Sequence, residues 1–222
     1  MQHLDEAALK HWIETSIATH ANTLASGYQG QTLLYEDAGN SFVIKVPHGK
    51  GLARYFHRHM LRHEYDAYKK LGEFAGAPRC LGLIDRQYLV LEYVEGRTIR
   101  SKRPLDEDEF HSKLFEYIKA MHARGVAHMD LKRKDNLMVK IDESPCILDF
   151  GAAVIKKKGF HPLNAYRYKI AKQFDYNAWL KHKYHDRYPR DISIVDRKYF
   201  KLTWIEALAS KTKAIYRRLV DQ

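Results

Sequence analysis

The side chains with the clearest chemical capability lie in one stretch of the second half of the chain. Asp130 follows His128 by two residues. Asn136 comes six residues after Asp130, and Asp149 opens an Asp-Phe-Gly triplet. A carboxylate can accept the proton of a hydroxyl group, and carboxylate and amide oxygens are hard ligands of the kind that Mg²⁺ prefers. The stretch therefore predicts a proton acceptor and a magnesium site close together.

The order of these residues resembles the catalytic loop and the metal-binding loop of the protein-kinase-like superfamily. The pattern H-x-D-L is complete at residues 128–131, an asparagine follows, and D-F-G is complete at residues 149–151. The resemblance covers roughly residues 26–151. It implies an ATP- and magnesium-dependent transfer of a phosphoryl group to a hydroxyl, with Asp130 as the catalytic base and with Asn136 and Asp149 as metal ligands.

A lysine and a glutamate upstream extend the predicted site. Lys45 is the only charge in the apolar run 42–46, and Glu64 lies in the predicted helix that follows. A partly buried lysine needs a partner, so we expect an ion pair between Lys45 and Glu64. The resemblance implies that this pair aims Lys45 at the α- and β-phosphates of ATP.

Three further expectations about ATP rest on the resemblance. Gly27 and Gly30 stand where the family keeps its glycine-rich loop, with a plain β-turn as the alternative. The backbone from Glu92 to Val94 stands where the family binds the adenine edge. Lys132, two residues after the base, stands where serine/threonine protein kinases place a lysine that touches the γ-phosphate.

The catalytic loop departs from the family pattern by one residue. The family places its asparagine five residues after the aspartate, and that position here is Asp135, with Asn136 one later. Counting forward from Asp130 favours Asp135. The strand predicted to begin at Leu137 favours Asn136, because in the family the asparagine directly precedes that strand. A neutral amide also adds no further negative charge near the phosphates, so we predict Asn136 as the ligand.

The hydrophobic pattern predicts an α+β fold with two lobes. The predicted helices cover residues 4–20, 52–72, 106–123, 165–183 and 198–219. The predicted strands cover residues 32–35, 41–46, 81–85, 87–93, 137–141 and 146–148. This order predicts a β-rich nucleotide-binding lobe with an N-terminal helix over residues 1–94, and a reduced helical catalytic lobe over residues 95–222.

The charge of the chain is concentrated in its last third. Residues 1–153 contain 21 Lys/Arg and 21 Asp/Glu, whereas residues 154–222 contain 17 Lys/Arg and 6 Asp/Glu. A surface of one sign attracts anionic partners, which include phosphates, nucleic acids and anionic membranes. The two cysteines, Cys80 and Cys146, form no disulfide framework and suit a reducing cytoplasm.

The sequence after the Asp-Phe-Gly triplet indicates which members of the superfamily the chain resembles most. The family's A-P-E segment is not visible, and Lys156–Lys158 stand there instead. Among small kinases without this segment, the chain is most similar to bacterial lipopolysaccharide-core kinases that act on heptose or 3-deoxy-manno-octulosonate. That resemblance implies an anionic glycolipid sugar as acceptor and a cytoplasmic protein, peripheral at the inner face of the cytoplasmic membrane.

Three alternatives remain open at this point. Lys132 favours a serine/threonine protein kinase, although the missing A-P-E segment counts against a peptide substrate. The basic last third also suits a nucleic-acid-associated kinase or ATPase of the RIO type. A pseudokinase scaffold is the remaining alternative, and the filled catalytic positions count against it.

Overall fold

A computed structural model of the chain describes residues 6–26, 30–37, 40–185, 190–208 and 212. The predicted α+β fold with a β-rich first lobe and a helical second lobe is confirmed. Gly27 lies outside the described residues. Within the described part of the chain, no helix is both long enough and apolar enough to cross a membrane.

The first lobe is a five-stranded antiparallel sheet with two helices. Its elements are α1 (Glu6–Thr19), β1 (Thr23–Ser26), β2 (Gly30–Asp37), β3 (Asn40–Pro47), α2 (Gly51–Leu71), β4 (Cys80–Ile84) and β5 (Tyr88–Glu92). The strand order is β1-β2-β3-β5-β4. The central strands β3 and β5 are therefore adjacent, although α2 and β4 separate them in the chain.

The alternation of side chains along β3 and β5 decides which helix covers which face of the sheet. Side chains of a strand point to opposite faces with a period of two. Ile44 and Val90 pack with Ile13 of α1 in one buried cluster. Leu89 belongs to a second buried cluster, which includes residues of α2. It stands directly opposite Lys45 in the β3–β5 pair. The sheet thus lies between α1 and α2, and Lys45 is on the side of α2.

The second lobe, in its described residues, contains the longest helix, α4, and three short strand pairs. Its elements are β6 (Gly96–Thr98), α3 (Glu107–Ala123), β7 (Val126–Ala127), β8 (Leu137–Lys140), β9 (Pro145–Ile147), β10 (Val154–Ile155), α4 (Pro162–Lys183) and α5 (Ile194–Arg197). Strands β6, β8 and β9 form one sheet, and β7 pairs with β10. The predicted boundary between residues 94 and 95 falls between β5 and β6, and its place stays a prediction.

Helix α3 shows how the sequence defines an element of this lobe. The Asp106 carboxylate accepts a hydrogen bond from the Glu109 backbone N–H at 2.9 Å, which caps the first turn. Gly125, at φ +80°, follows the last turn with a backbone conformation that glycine tolerates. The buried apolar residues of α3 recur at helical spacing and are Phe110, Leu114, Ile118 and Met121.

Several elements differ from the sequence prediction. Strands β1, β6, β7 and β10 were not expected, and β7 and β10 have only two residues each, too few for an alternating pattern. The helix predicted over residues 198–219 is wrong at its start, because residues 198–203 are not helical and residues 204–208 are. The backbone carbonyls of Tyr199 and Lys201 instead accept hydrogen bonds from Gln173 and Asn177 of α4.

Both cysteines are free thiols, as expected from the sequence. Burial raises the pKa of the Cys80 thiol to about 11 and that of the Cys146 thiol to about 12. Since the thiolate is the reactive form, both cysteines are poor nucleophiles at neutral pH.

Helices α3 and α4 of the second lobe each carry a buried histidine. The His111 side chain has no hydrogen-bond partner for either ring nitrogen among the described residues, and His111 is only 1% exposed. His182 is 3% exposed and donates its Nε2–H to the Leu131 carbonyl at 2.7 Å. Burial lowers the pKa of His111 to about 3 and that of His182 to about 4.

These histidines predict loss of stability in mild acid. Both take up a proton at their ordinary pKa when the chain unfolds, so their stabilisation is complete above about pH 6.5 and is lost as the pH falls toward their folded pKa values. Each should lower the free energy of unfolding by about 2 kcal/mol between pH 7 and pH 5. Urea unfolding of His111→Phe across this range should show a shallower pH slope than the native chain.

His11→Phe is the matched control, because His11 is exposed on α1. This substitution should leave the pH slope unchanged. A native pH slope in His111→Phe would contradict the assignment.

Candidate active site

The predicted ion pair between Lys45 and Glu64 is present. The Lys45 Nζ atom lies 2.6 Å from Glu64 Oε1, and Glu64 is only 2% exposed. Glu64 shares the buried face of α2 with Ala67, Tyr68 and Leu71. That spacing turns Glu64 toward β3 together with the apolar residues of its helix.

Asp149 brings the second lobe to the same lysine. Its Oδ1 atom lies 3.3 Å from Lys45 Nζ and accepts a hydrogen bond from the Gly151 N–H at 3.4 Å. Asp149 has φ +63°, an uncommon conformation for a residue other than glycine. The Phe150 N–H also donates to Glu64 Oε1 at 3.3 Å. Glu64 therefore contacts both lysine and the loop that carries Asp149.

The electrostatics of this cluster favour a charged lysine. Burial by itself would lower the pKa of the Lys45 ammonium, but the carboxylates of Glu64 and Asp149 more than offset this and raise the pKa above its ordinary value. Burial opposes ionisation of Asp149 as well, but Lys45 holds the pKa of that carboxyl below its usual range. The cleft thus presents a positive charge beside an ionised carboxylate at neutral pH.

The loop that carries Asp130 is anchored to α4 by a residue that the sequence analysis missed. The fully buried Asp175 carboxylate accepts hydrogen bonds from the backbone N–H groups of His128 and Met129, both at 2.8 Å. It also accepts one from His122 Nε2–H at 2.9 Å. A signal was available, since an aspartate among the apolar residues of α4 requires buried partners.

His128 connects this loop to the Asp149 loop. Its Nε2–H donates to the Leu148 carbonyl at 2.8 Å, one residue before Asp149. Its ring also lies against the ring of the fully buried Phe150, with centroids 4.9 Å apart. The position of Asp149 is therefore set from the Asp130 loop as well as from α2.

The structure separates the neighbours Asp135 and Asn136. The Asn136 Nδ2 atom donates to the Asp130 carboxylate and to the Asp130 carbonyl, both at 3.1 Å, which leaves the amide oxygen able to ligate a metal. The Asp135 carboxylate instead accepts two hydrogen bonds from Arg100 at 2.5 and 2.9 Å. Residues 134–136 form a 3₁₀ turn that ends directly before β8.

A cleft of about 330 Å³ lies over this cluster. Its lining includes predicted site residues and residues of β1 and β2, among them Lys45, Glu64, Asp149, Gly30, Ser26 and Thr32. Gly30 has a structural reason as well, because a Cβ there would collide with the Val46 carbonyl of the paired strand. Arg133, which the sequence analysis did not single out, also lines the cleft.

The structure does not bring Lys132 into this cleft. The Lys132 ammonium forms an ion pair with Glu206, from the segment that follows α5. It also lies 5.5 Å from the centroid of the Phe174 ring. Its predicted contact with the γ-phosphate stays a prediction.

The segment predicted to bind the adenine edge starts at the last residue of β5 and continues beyond the strand. The Glu92 N–H already donates to the Arg79 carbonyl at 2.9 Å, and the Glu92 side chain accepts from the Arg79 N–H at 2.9 Å. Val94 comes after the strand ends and is half-buried. An adenine bound here would use the carbonyl oxygen of Glu92 rather than its N–H, and this role stays a prediction.

The donor set fits a magnesium ion that is bound together with phosphates. Among the described residues, no three His, Cys, Asp or Glu side chains form a ready-made metal site. Asp149 and Asn136 offer one carboxylate and one amide oxygen, and Mg²⁺ is commonly held by one or two side chains plus phosphate oxygens and water. These two residues remain the predicted ligands.

Comparison with known proteins agrees with this geometry. The family model described as "Protein kinase domain" matches residues 36–192 of the chain. Serine/threonine-protein kinase D of Synechocystis sp. (strain ATCC 27184 / PCC 6803 / Kazusa) is 31% identical over 68 residues. That match covers 29% of the chain and only 14% of the length of this relative.

The geometry at Asn136 yields a test by magnesium titration. Asn136→Ala should raise the magnesium concentration needed for half-maximal turnover by about 10–100-fold, the range found when metal-site contacts are removed. Asp135→Ala is the matched neighbour and should have a mild effect, because it removes only an exposed ion pair with Arg100. Thermal unfolding of both variants should be compared, since Asn136 also holds Asp130. The opposite ranking in the titration would refute the assignment.

Proposed function

Since the chain belongs to the protein kinase domain family and is a kinase, we propose that its acceptor is a sugar hydroxyl of an anionic glycolipid of the lipopolysaccharide-core type. The kinase domain implies ATP as the phosphoryl donor and, typically, magnesium. The observation that carries the choice of acceptor is the concentration of exposed basic and apolar side chains after β10.

The geometry supports the following proposed roles in the reaction. Asp130 accepts the proton of the acceptor hydroxyl, and the Asn136 amide orients its carboxylate through the 3.1 Å hydrogen bond. Lys45, held by Glu64, binds phosphate oxygens of ATP. Asp149 and Asn136 would hold magnesium, which neutralises charge on the phosphates when it is bound. A charged lysine suits binding of phosphate oxygens, and an ionised aspartate beside it suits binding of magnesium.

The surface after β10 supports an anionic acceptor. Strand β10 pairs with β7, which leads into the Asp130 loop, so the basic run 156–158 starts in the catalytic lobe beside that loop. Two neighbouring clefts of about 610 and 340 Å³ share Lys157, Asn164 and Arg167 in their linings. The larger cleft also has Lys69 and Lys70 of α2 at its edge. Phosphate or carboxylate groups would be attracted to this concentration of positive charge.

Exposed apolar side chains border the same clefts. Phe160 is 92% exposed and Leu163 is 71% exposed, and both line the smaller cleft. Tyr166 and Trp204 lie nearby, joined by a hydrogen bond of 3.1 Å, and both are exposed. Basic and amphipathic aromatic side chains together suit the interface between an anionic head group and lipid. We propose that this surface approaches the inner face of the cytoplasmic membrane.

A serine/threonine protein kinase is the second candidate. The 31% identity over 68 residues to serine/threonine-protein kinase D favours it. A phosphorylated protein would then replace the phosphorylated glycolipid as the product, with the same residues at the reacting atoms.

Transfer of label from γ-labelled ATP into a fractionated extract tests both candidates. The purified chain should label the lipopolysaccharide-core fraction, and Asp130→Ala should reduce this labelling by at least about a hundredfold, the scale of general-base effects. Label in protein would favour the second candidate, and label in RNA would overturn both. Near-native turnover of Asp130→Ala would rule out Asp130 as the base.

The basic surface predicts a salt-dependent affinity for anionic membranes. Lys157→Glu should weaken binding to vesicles of anionic phospholipid at low salt by at least about fivefold, since one basic residue near such a surface contributes about 1 kcal/mol. The salt dependence of binding should also decrease. Flotation or sedimentation of vesicles at several salt concentrations measures both effects.

Lys102→Glu is the matched control, because Lys102 is exposed on the loop after β6 and its substitution changes the net charge equally. Equal losses of affinity in the two variants would show that net charge alone determines membrane binding.

A further inference from the structure

Lys132 and Arg133 are adjacent cations in the Asp130 loop, and their side chains contact different parts of the protein. The Lys132 ammonium pairs with Glu206 and lies over the Phe174 ring. The Arg133 guanidinium lines the cleft that contains Lys45 and Asp149. Its Nη1 atom is 3.7 Å from Asp130 Oδ2, and its side chain is 60% exposed. Arg133 is therefore the cation next to the predicted base.

Lys132 is held in place by a carboxylate that is itself fixed. The Glu206 side chain is 8% exposed, and its Oε2 atom accepts three hydrogen bonds. The donors are Asn177 Nδ2 at 2.7 Å, the Thr203 hydroxyl at 2.8 Å and the Thr203 N–H at 3.0 Å. Lys132 also holds the pKa of the Glu206 carboxyl below its ordinary value, against the opposing effect of burial. Moving Lys132 into the cleft would leave a nearly buried carboxylate without its cation, which is unfavourable.

The backbone of the loop explains why Arg133 turns the other way. The Arg133 N–H donates to the Asp130 carbonyl at 3.3 Å, and the Asn136 N–H donates to the Arg133 carbonyl at 3.1 Å. Two consecutive tight turns thus meet at Arg133, and the first returns the chain to Asp130. The Leu131 carbonyl is bound by His182, which fixes the start of the turn on the core. These turns bring the Arg133 side chain next to the Asp130 carboxylate.

We propose that Arg133 is the catalytic-loop residue that contacts the transferred phosphoryl group, and that Lys132 instead fastens the segment 199–206 to the catalytic lobe through Glu206. The proposal rests on the proposed phosphoryl transfer with Asp130 as base. It replaces the sequence-based expectation that Lys132 touches the γ-phosphate.

Arg133 has a defined role in the proposed chemical step. The acceptor oxygen forms a bond to the γ-phosphorus, while the bond between that phosphorus and the oxygen bridging it to the β-phosphate breaks. The hydroxyl proton passes to Asp130, and ADP leaves with the electron pair of the broken bond. Arg133 neither gives nor takes a proton, since its guanidinium stays charged. It neutralises negative charge on the equatorial oxygens of the phosphoryl group as it is transferred.

Kinetics of four variants of the full chain test this division. Turnover of γ-labelled ATP with magnesium is counted as label in free phosphate plus label in the acceptor fraction. Arg133→Ala should lower kcat by at least about a hundredfold, the scale for loss of one transition-state donor. The Kd for ATP should change by less than about threefold, and added guanidinium ion should restore part of the rate. Arg133→Lys should be intermediate, because it keeps the charge without the planar fork.

Lys132→Met and Glu206→Gln should form a separate class. Both should lower the melting temperature and increase hydrogen exchange in residues 199–206, with kcat reduced much less than in Arg133→Ala. A kcat within about threefold of native in Arg133→Ala, or a larger kcat loss in Lys132→Met than in Arg133→Ala, would overturn the proposal. Asp130→Ala is measured in parallel. If only Asp130→Ala kept native turnover, the proposed base would be refuted. The role of Arg133 would still be decided by the kinetics of Arg133→Ala and Arg133→Lys.

Discussion

A single buried carboxylate organises the catalytic lobe. Asp175 has no exposed surface and accepts hydrogen bonds from two backbone N–H groups at the start of the Asp130 loop and from His122. An ionised group in the interior is tolerated only when its hydrogen bonds are complete. Because these donors belong to the backbone of the loop, any other path of the loop would leave Asp175 unsatisfied. The direction of Asp130 thus depends on a residue of α4.

Glu64 is a second nearly buried carboxylate, and it connects the two lobes. Its carboxylate binds the Lys45 ammonium from the sheet and the Phe150 N–H from the Asp149 loop. One nearly buried acid on α2 therefore couples the position of the lysine to that of the predicted metal ligand. Movement of α2 would separate both contacts at once. The arrangement makes the charged cleft a property of both lobes together.

The basic surface after β10 and the cluster of Lys45, Glu64 and Asp149 depend on different electrostatic interactions. The cluster consists of contacts of 2.6 and 3.3 Å among opposite charges in a partly buried cleft, which salt screens less than exposed pairs. The surface after β10 consists of exposed cations with exposed apolar side chains, whose attraction for anions is sensitive to salt. Membership of the kinase family accounts for the first part, whereas we propose that the second part selects the acceptor. The two parts can therefore be tested independently.

The family fold, its larger elements and the candidate site residues could be predicted from the sequence alone. Asp130, Asn136 and Asp149 could be identified from order and spacing, and Lys45 from being the only charge in an apolar strand. Long helices such as α2 and α3 could be predicted because many residues contribute to their periodicity, whereas the two-residue strands β7 and β10 exist only through pairing with each other. Only the tertiary structure showed that Asp135 pairs with Arg100 while Asn136 binds Asp130, that Arg133 rather than Lys132 lines the cleft, and that Asp175 holds the Asp130 loop. Each of these depends on the direction that a side chain takes from a tight turn, or on partners more than thirty residues away in the chain, and neither is encoded in local spacing.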